Sequence, residues 1–194
     1  MKLRQLIFFL SLGFCCSSLF AQQEGKEVYV DKINNFIISY PDDWNLENGD
    51  EGEITIYSPN DVEEEDENSE DQNYQGIEDK IQIIPSRWDE GNLEEFVNSN
   101  FLSSDWSSVF ENFKIVKQGK EKINGNDAMW FLATYKLQDV QVTSLFYFIK
   151  MFNRVISFTS FCKSDDFELN YKIKYLEIIR STHSSIDSKK AKSK

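Results

Sequence analysis

Apolar and polar positions alternate first at Val28 and Val30 around Tyr29, then at Phe36, Ile38 and Tyr40 in FIISY, which ends at Pro41. A period of two sends one side of a segment into a core, so both stretches are predicted strands. Ile54 with Ile56, and Ile81 with Ile83 ahead of Pro85, predict two more. The period then changes. Asn92 followed three residues later by Glu95 has the form of a capping box. Leu93, Phe96, Val97, Asn100 and Phe101 share one face at helical spacing, predicting a helix over 93–103. KIVKQGKEKI leads into Asn124-Gly125, a pair suited to the positive backbone angles of a tight hairpin. Residues 128–137, 140–151 and 154–162 are rich in β-branched and aromatic side chains and separated by short polar turns, predicting a meander of long antiparallel strands. After Ser164-Asp165-Asp166, the residues Phe167, Tyr171, Tyr175 and Ile178 recur at helical spacing. They predict a closing helix over 166–180 that lays an aromatic stripe on the sheet.

Sixteen Phe, eight Tyr and four Trp in 194 residues are too much large aromatic surface for a chain that stays unfolded. No repeat and no Gly, Ser or Pro-rich linker divides the chain, so one domain is expected over 22–182, followed by a polar, lysine-rich tail over 183–194. Ahead of the domain, Lys2 and Arg4 precede an apolar run over 6–14 and a small-residue exit ending at Ala21, the form of a signal peptide over 1–21 cut after Ala21 or Gln22. That run is shorter than the roughly 20 residues a transmembrane helix needs. Export to the periplasm or medium is the expectation. Cys15 and Cys16 leave a lipid anchor as the alternative, against which stand Phe14 and the doubled cysteine at the bond to be cut. Cys162, in ISFTSFC, then remains alone and reads as a small buried hydrophobe.

The formal net charge of -12 opposes broad attraction to nucleic acid or anionic lipid. The acidity is local. Between Asp42 and Asp79 there are 16 acids and no Lys or Arg, with eight of the acids packed into the eleven residues 61–71. An acidic insertion over 59–78 has two readings, a solvated connection between strands or a collector of divalent cations through Asp61, Glu63, Glu65, Asp66 and Asp71. The spacing lacks the Asp-x-Asp-x-Asp-Gly form that wraps one calcium ion.

Catalytic signatures are sparse. His183 is the only histidine and reads as an exposed helix-end residue without company for a zinc site or a triad. No Gly-x-Ser-x-Gly, Walker A loop, Gly-x-Gly-x-x-Gly or Cys-x-x-Cys is present. No catalytic residue, metal site or cofactor is therefore assigned, while a pair of carboxylates that meet only in space stays open. Trp44 and Trp106 read as core residues despite polar neighbours. Trp88, between Pro85 and Gly91, is the candidate partner-binding side chain.

Four segments together, FIISYPDDWNLE, INGNDAMWFLATYKL, RVISFTSFC and YLEIIRST, resemble the PsbP-like family, whose wider fold also includes a Ran-binding nuclear-import factor. The resemblance spans residues 27–182 and rests on hydrophobic punctuation such as the aromatic-x-Tyr-Pro turn before Trp44. It implies an α+β fold, an antiparallel β-sheet flanked by helices in an α/β/α sandwich. Its plant member supports the oxygen-evolving centre of photosystem II without being an established enzyme, and many bacterial members are exported. No ligand-binding motif of the family matches a position here, and fold does not assign function. The expectation is an exported, non-catalytic binding or assembly module whose partner is a protein or envelope component. The alternatives are an exported hydrolase using paired carboxylates and a divalent-cation-responsive protein acting through the acidic segment.

Overall fold

The computed structural model describes residues 25–59, 79–89, 91–137 and 139–185. The signal segment, the acidic residues Asp61, Glu63, Glu65, Asp66 and Asp71, and residues 186–194 of the lysine-rich tail lie outside them. Ten strands form among the described residues: β1 (Lys26–Asp31), β2 (Phe36–Pro41), β3 (Asn45–Asn48), β4 (Ile54–Tyr57), β5 (Lys80–Arg87), β6 (Glu111–Ile123), β7 (Asn126–Leu137), β8 (Val140–Met151), β9 (Arg154–Phe161) and β10 (His183–Ser184). They make a seven-stranded sheet in the order β3-β4-β5-β9-β8-β7-β6 and a three-stranded sheet in the order β1-β2-β10, all antiparallel.

The molecule is sheet-rich, and its helices are few and short. α1 (Leu93–Val97) starts with the expected capping box, in which Asn92 accepts from the Glu95 N–H and Glu95 accepts from the Asn92 N–H. It runs on into a π-helical turn over Asn98–Leu102. The closing segment begins with α2 (Ser164–Asp166), passes through a second π-helical turn at Phe167–Tyr171, and continues as α3 (Lys172–Ser181).

Alternation along the long strands creates two cores. On one face Leu145, Tyr147, Ile149, Ile156 and Phe158 join Ile54, Ile56, Ile81 and Ile83, with Phe36, Ile38 and Tyr40 of β2 and Tyr175, Ile178 and Ile179 of α3 packed over them. On the other face Met129, Phe131, Phe146, Phe148 and Val155 meet Leu93, Phe96, Val97 and Phe101. Phe101 is the hub of this second core, with ring centroids 4.8 to 5.3 Å from Phe131, Phe146, Phe148 and Trp106. Phe96, Phe101, Tyr171 and Ile178 are all buried, as their spacing predicts, and so are Trp44 and Cys162. Trp106 is half-buried, its indole N–H donating to the Phe101 carbonyl at 2.8 Å.

Two details depart from expectation. β5 runs through Pro85 to Arg87 because Pro85 still finds a place in register, opposite Ile156 of β9. His183 does not cap a helix or open a solvated tail. At Thr182 the backbone turns extended, and His183 and Ser184 pair with Ile37 and Phe36 of β2, leaving the ring half-buried and its Nδ1 2.8 Å from the Ser181 carbonyl. The cause is tertiary: the apolar stripe of α3 stops beside β2, whose free edge accepts the next residues as β10.

Candidate functional site

Trp88 leaves the end of β5 and is held from two directions. Its N–H donates to the Asn153 carbonyl at 2.8 Å, in the turn between β8 and β9, and its own carbonyl accepts from Lys150 Nζ at 2.5 Å. The indole meets the Phe96 ring edge-on, with centroids 5.3 Å apart at 80°. Gly91 lies against the same indole and the Glu95 carboxylate of the capping box. It sits at φ +86°, and a Cβ there would lie 2.2 Å from Glu95 Oε2 and 3.3 Å from Trp88 Nε1. The Trp88 side chain is thus half-buried, and its indole N–H is buried with no acceptor among the described residues. Such a donor costs free energy, as it does for the buried indole N–H of Trp44.

What the corner presents outward is Phe152. Met151 and Arg154 are the last paired residues of β8 and β9, so Phe152 and Asn153 form a two-residue turn. Phe152 adopts φ +52° and is 62% exposed. Glycine is favoured at the first position of such a turn when φ is positive, because a Cβ crowds the backbone there. A bulky aromatic in that conformation is an outlier, and outliers of this kind cluster at functional sites. Beside it Arg87 pairs with Asp89. The Arg87 hydrogen bond holds the Asp89 carboxyl below its usual range, helped by Asn153 and Lys150, so an exposed ion pair lies at the same corner as the apolar ring. Exposed aromatic side chains beside polar groups are the kind that anchor contact surfaces.

Sequence reasoning singled out Trp88 and missed Phe152. The missing signal was turn arithmetic: MFNR between two strands leaves Phe152 and Asn153 as the turn, and a Phe in a glycine position is visible once that register is fixed.

Several titratable groups away from this corner are hydrogen-bonded within the fold. Glu121 accepts from the Tyr147 hydroxyl and lies 3.5 Å from Arg180, Glu27 accepts from Tyr40 at 2.6 Å, and Asp31 closes its turn by accepting from the N–H groups of Ile33 and Asn34. Burial, and then the Glu27 carboxylate, push the Tyr40 hydroxyl up to about 12, while burial and then Glu121 push Tyr147 higher still. Among the described residues no three of His, Cys, Asp and Glu are placed to hold a metal ion. An open groove of about 480 Å³ lies between β1 and α3, lined by Lys26, Ile173, Leu176, Glu177 and Arg180. No described helix is long and apolar enough to cross a membrane.

Compared with solved structures, this sheet-rich architecture is similar to a PsbP fold. No family model matches the sequence, and no curated protein matches it. The likeness is to solved structures. Cyanobacterial PsbP (CyanoP) from Synechocystis sp. PCC 6803 superposes with a TM-score of 0.59 at 13% identity, over 89% of this chain and 98% of that one. LpqN of Mycobacterium tuberculosis, described as involved in cell envelope biogenesis, gives 0.57 at 12% identity, over 83% of this chain and 86% of its own. A protein of Bacteroides thetaiotaomicron gives 0.53 at 13% identity, over 82% of this chain and 48% of its own, so this chain spans about half of that protein. At these identities the likeness is one of fold.

Proposed function

We propose that this is an exported, non-catalytic binding or assembly module of the PsbP-like family, acting on a protein or envelope component through the Trp88–Phe152 corner. The observation that carries the reading is Phe152, a solvent-facing aromatic in a glycine conformation. Folding alone selects against it. The exposed Arg87–Asp89 pair supplies polar groups beside it. The fold of CyanoP and of a cell-envelope biogenesis protein supports a binding role and an exported location. The arrangement we assign is the three-layer α/β/α sandwich of the PsbP-like family, with α1 over one face of the main sheet and α3 with the small sheet over the other.

The test is affinity capture from the envelope fraction of the native cell, using the mature protein and the variant Phe152→Ser. A partner retained by the wild type and lost by the variant, with unchanged melting temperature, supports the reading. An identical captured set from both proteins removes Phe152 from it.

A further inference from the structure

Among the described residues the two sheets have four edges, and three carry features that guard against strand addition. β3 and β10 are four and two residues long. β6 carries Lys114, Lys117, Lys120 and Lys122 and is broken by register shifts near Glu111 and Ile115. Short length, lysines and bulges are the usual guards of an edge. β1 has neither a bulge nor a proline. It is six residues of KEVYVD in continuous register with β2, its outer side unpaired by any described strand, and Val28 and Val30 are 61% and 44% exposed.

Which backbone groups face outward follows from the ladder. The Asp42 N–H donates to the Gly25 carbonyl, and Lys26 stands opposite Pro41, which has no N–H to give. Hydrogen-bonded pairs alternate along an antiparallel ladder, so Gly25, Glu27, Tyr29 and Asp31 turn their backbone groups to β2. Lys26, Val28 and Val30 turn theirs away from it.

We infer that β1 pairs with β1 of a second copy about a twofold axis through Val28. In that register Val28 faces its own counterpart and Lys26 faces Val30 at both ends, so every outward N–H and C=O finds a partner. No like charges stand opposite each other, and the exposed valines meet each other and the lysine stems. A shift of one step in either direction loses one of the three pairs. One shift sets Glu27 against Glu27 and the other sets Glu27 against Asp31, and like charges directly opposite are destabilising. The strand is self-complementary in one register, which is what a closed twofold contact requires. The inference rests on β1 alone and is independent of the Trp88–Phe152 reading.

The test uses the full mature protein. Sedimentation equilibrium is expected to show its mass rising towards twice the monomer over about 10 µM to 1 mM, the weak range fitting a small contact. Val28→Pro removes an outward N–H, which an edge strand tolerates, and should weaken association at least tenfold. Val28→Lys does the same should the proline variant fail to fold. Register is read by oxidation. Paired Val28→Cys residues would have Cα atoms about 5.5 Å apart, within the disulfide range of about 4.4–6.8 Å. Val30→Cys residues would lie about 13 Å apart along the strands and should not bridge. A wild type that stays monomeric throughout, or Val30→Cys bridging as fast as Val28→Cys, overturns the inference.

Discussion

The β6–β7 and β8–β9 turns solve the same geometric problem with opposite residues. In the first, Asn124 and Gly125 take φ +49° and +85°, conformations both tolerate, and the Asn124 side chain donates to the carbonyls of Arg180 and Thr182 at 3.0 and 2.8 Å. That turn closes a hairpin and caps α3 at once. In the second, Phe152 holds a positive φ without glycine's freedom and turns its ring to solvent. One turn obeys local backbone preference and ties its first side chain to the end of α3; the other is held through the Asn153 carbonyl by the Trp88 N–H, while its first side chain, Phe152, departs from local preference and faces solvent. A protein assembled for stability alone would not differ in this way between two turns of one sheet.

The contrast can be broken most severely beneath the first turn. Ile178 of α3 shares the core with Ile123, next to Asn124. Ile178→Asp places an unpaired charge there and should abolish folding, seen as loss of the cooperative thermal transition. Phe101→Ala tests the other core and should cost about 3–5 kcal/mol in denaturant unfolding, since the ring touches four others. Asn124→Ala should cost about 1–2 kcal/mol, through both the positive φ and the lost bonds to the α3 carbonyls. In each case the first turn and the cores beneath it behave as structure.

Alkali gives a further test. The folded state holds the Tyr40 and Tyr147 hydroxyls above their ordinary value of 10, so it retains protons there that the unfolded chain releases. Their stabilisation is complete below pH 10 and is lost as pH rises through the raised folded values. Melting temperature should therefore fall between pH 10 and 12, and Tyr147→Phe should make that fall shallower.

Much of this architecture was legible in the sequence because it is written in local periodicity. The capping box of Asn92 and Glu95, the Asn124-Gly125 turn, the meander and the aromatic stripe from Phe167 to Ile178 each follow from spacing within a few residues. What escaped depends on contacts distant in sequence. β10 exists because the end of α3 comes to lie beside β2, and nothing in THSS announces a strand. The division into two sheets likewise depends on where β2 packs. Of the candidate site, Trp88 was visible as a tryptophan between Pro85 and Gly91, but its attachment to Asn153 was not, and so neither was Phe152 as its neighbour.

The smallest expected effect bears on the central claim most directly, that Phe152 is kept at its turn for contact and against stability. Phe152→Gly removes the side chain and leaves the backbone conformation that glycine prefers. The gain from relieved strain exceeds the extra entropy glycine gives the unfolded chain, for a net stabilisation of about 0.5–1 kcal/mol. The measurement is the denaturant midpoint of Phe152→Gly against wild type at equal slope. The account predicts a higher midpoint. A lower one would show that the Phe152 ring stabilises the folded domain, and would contradict the claim.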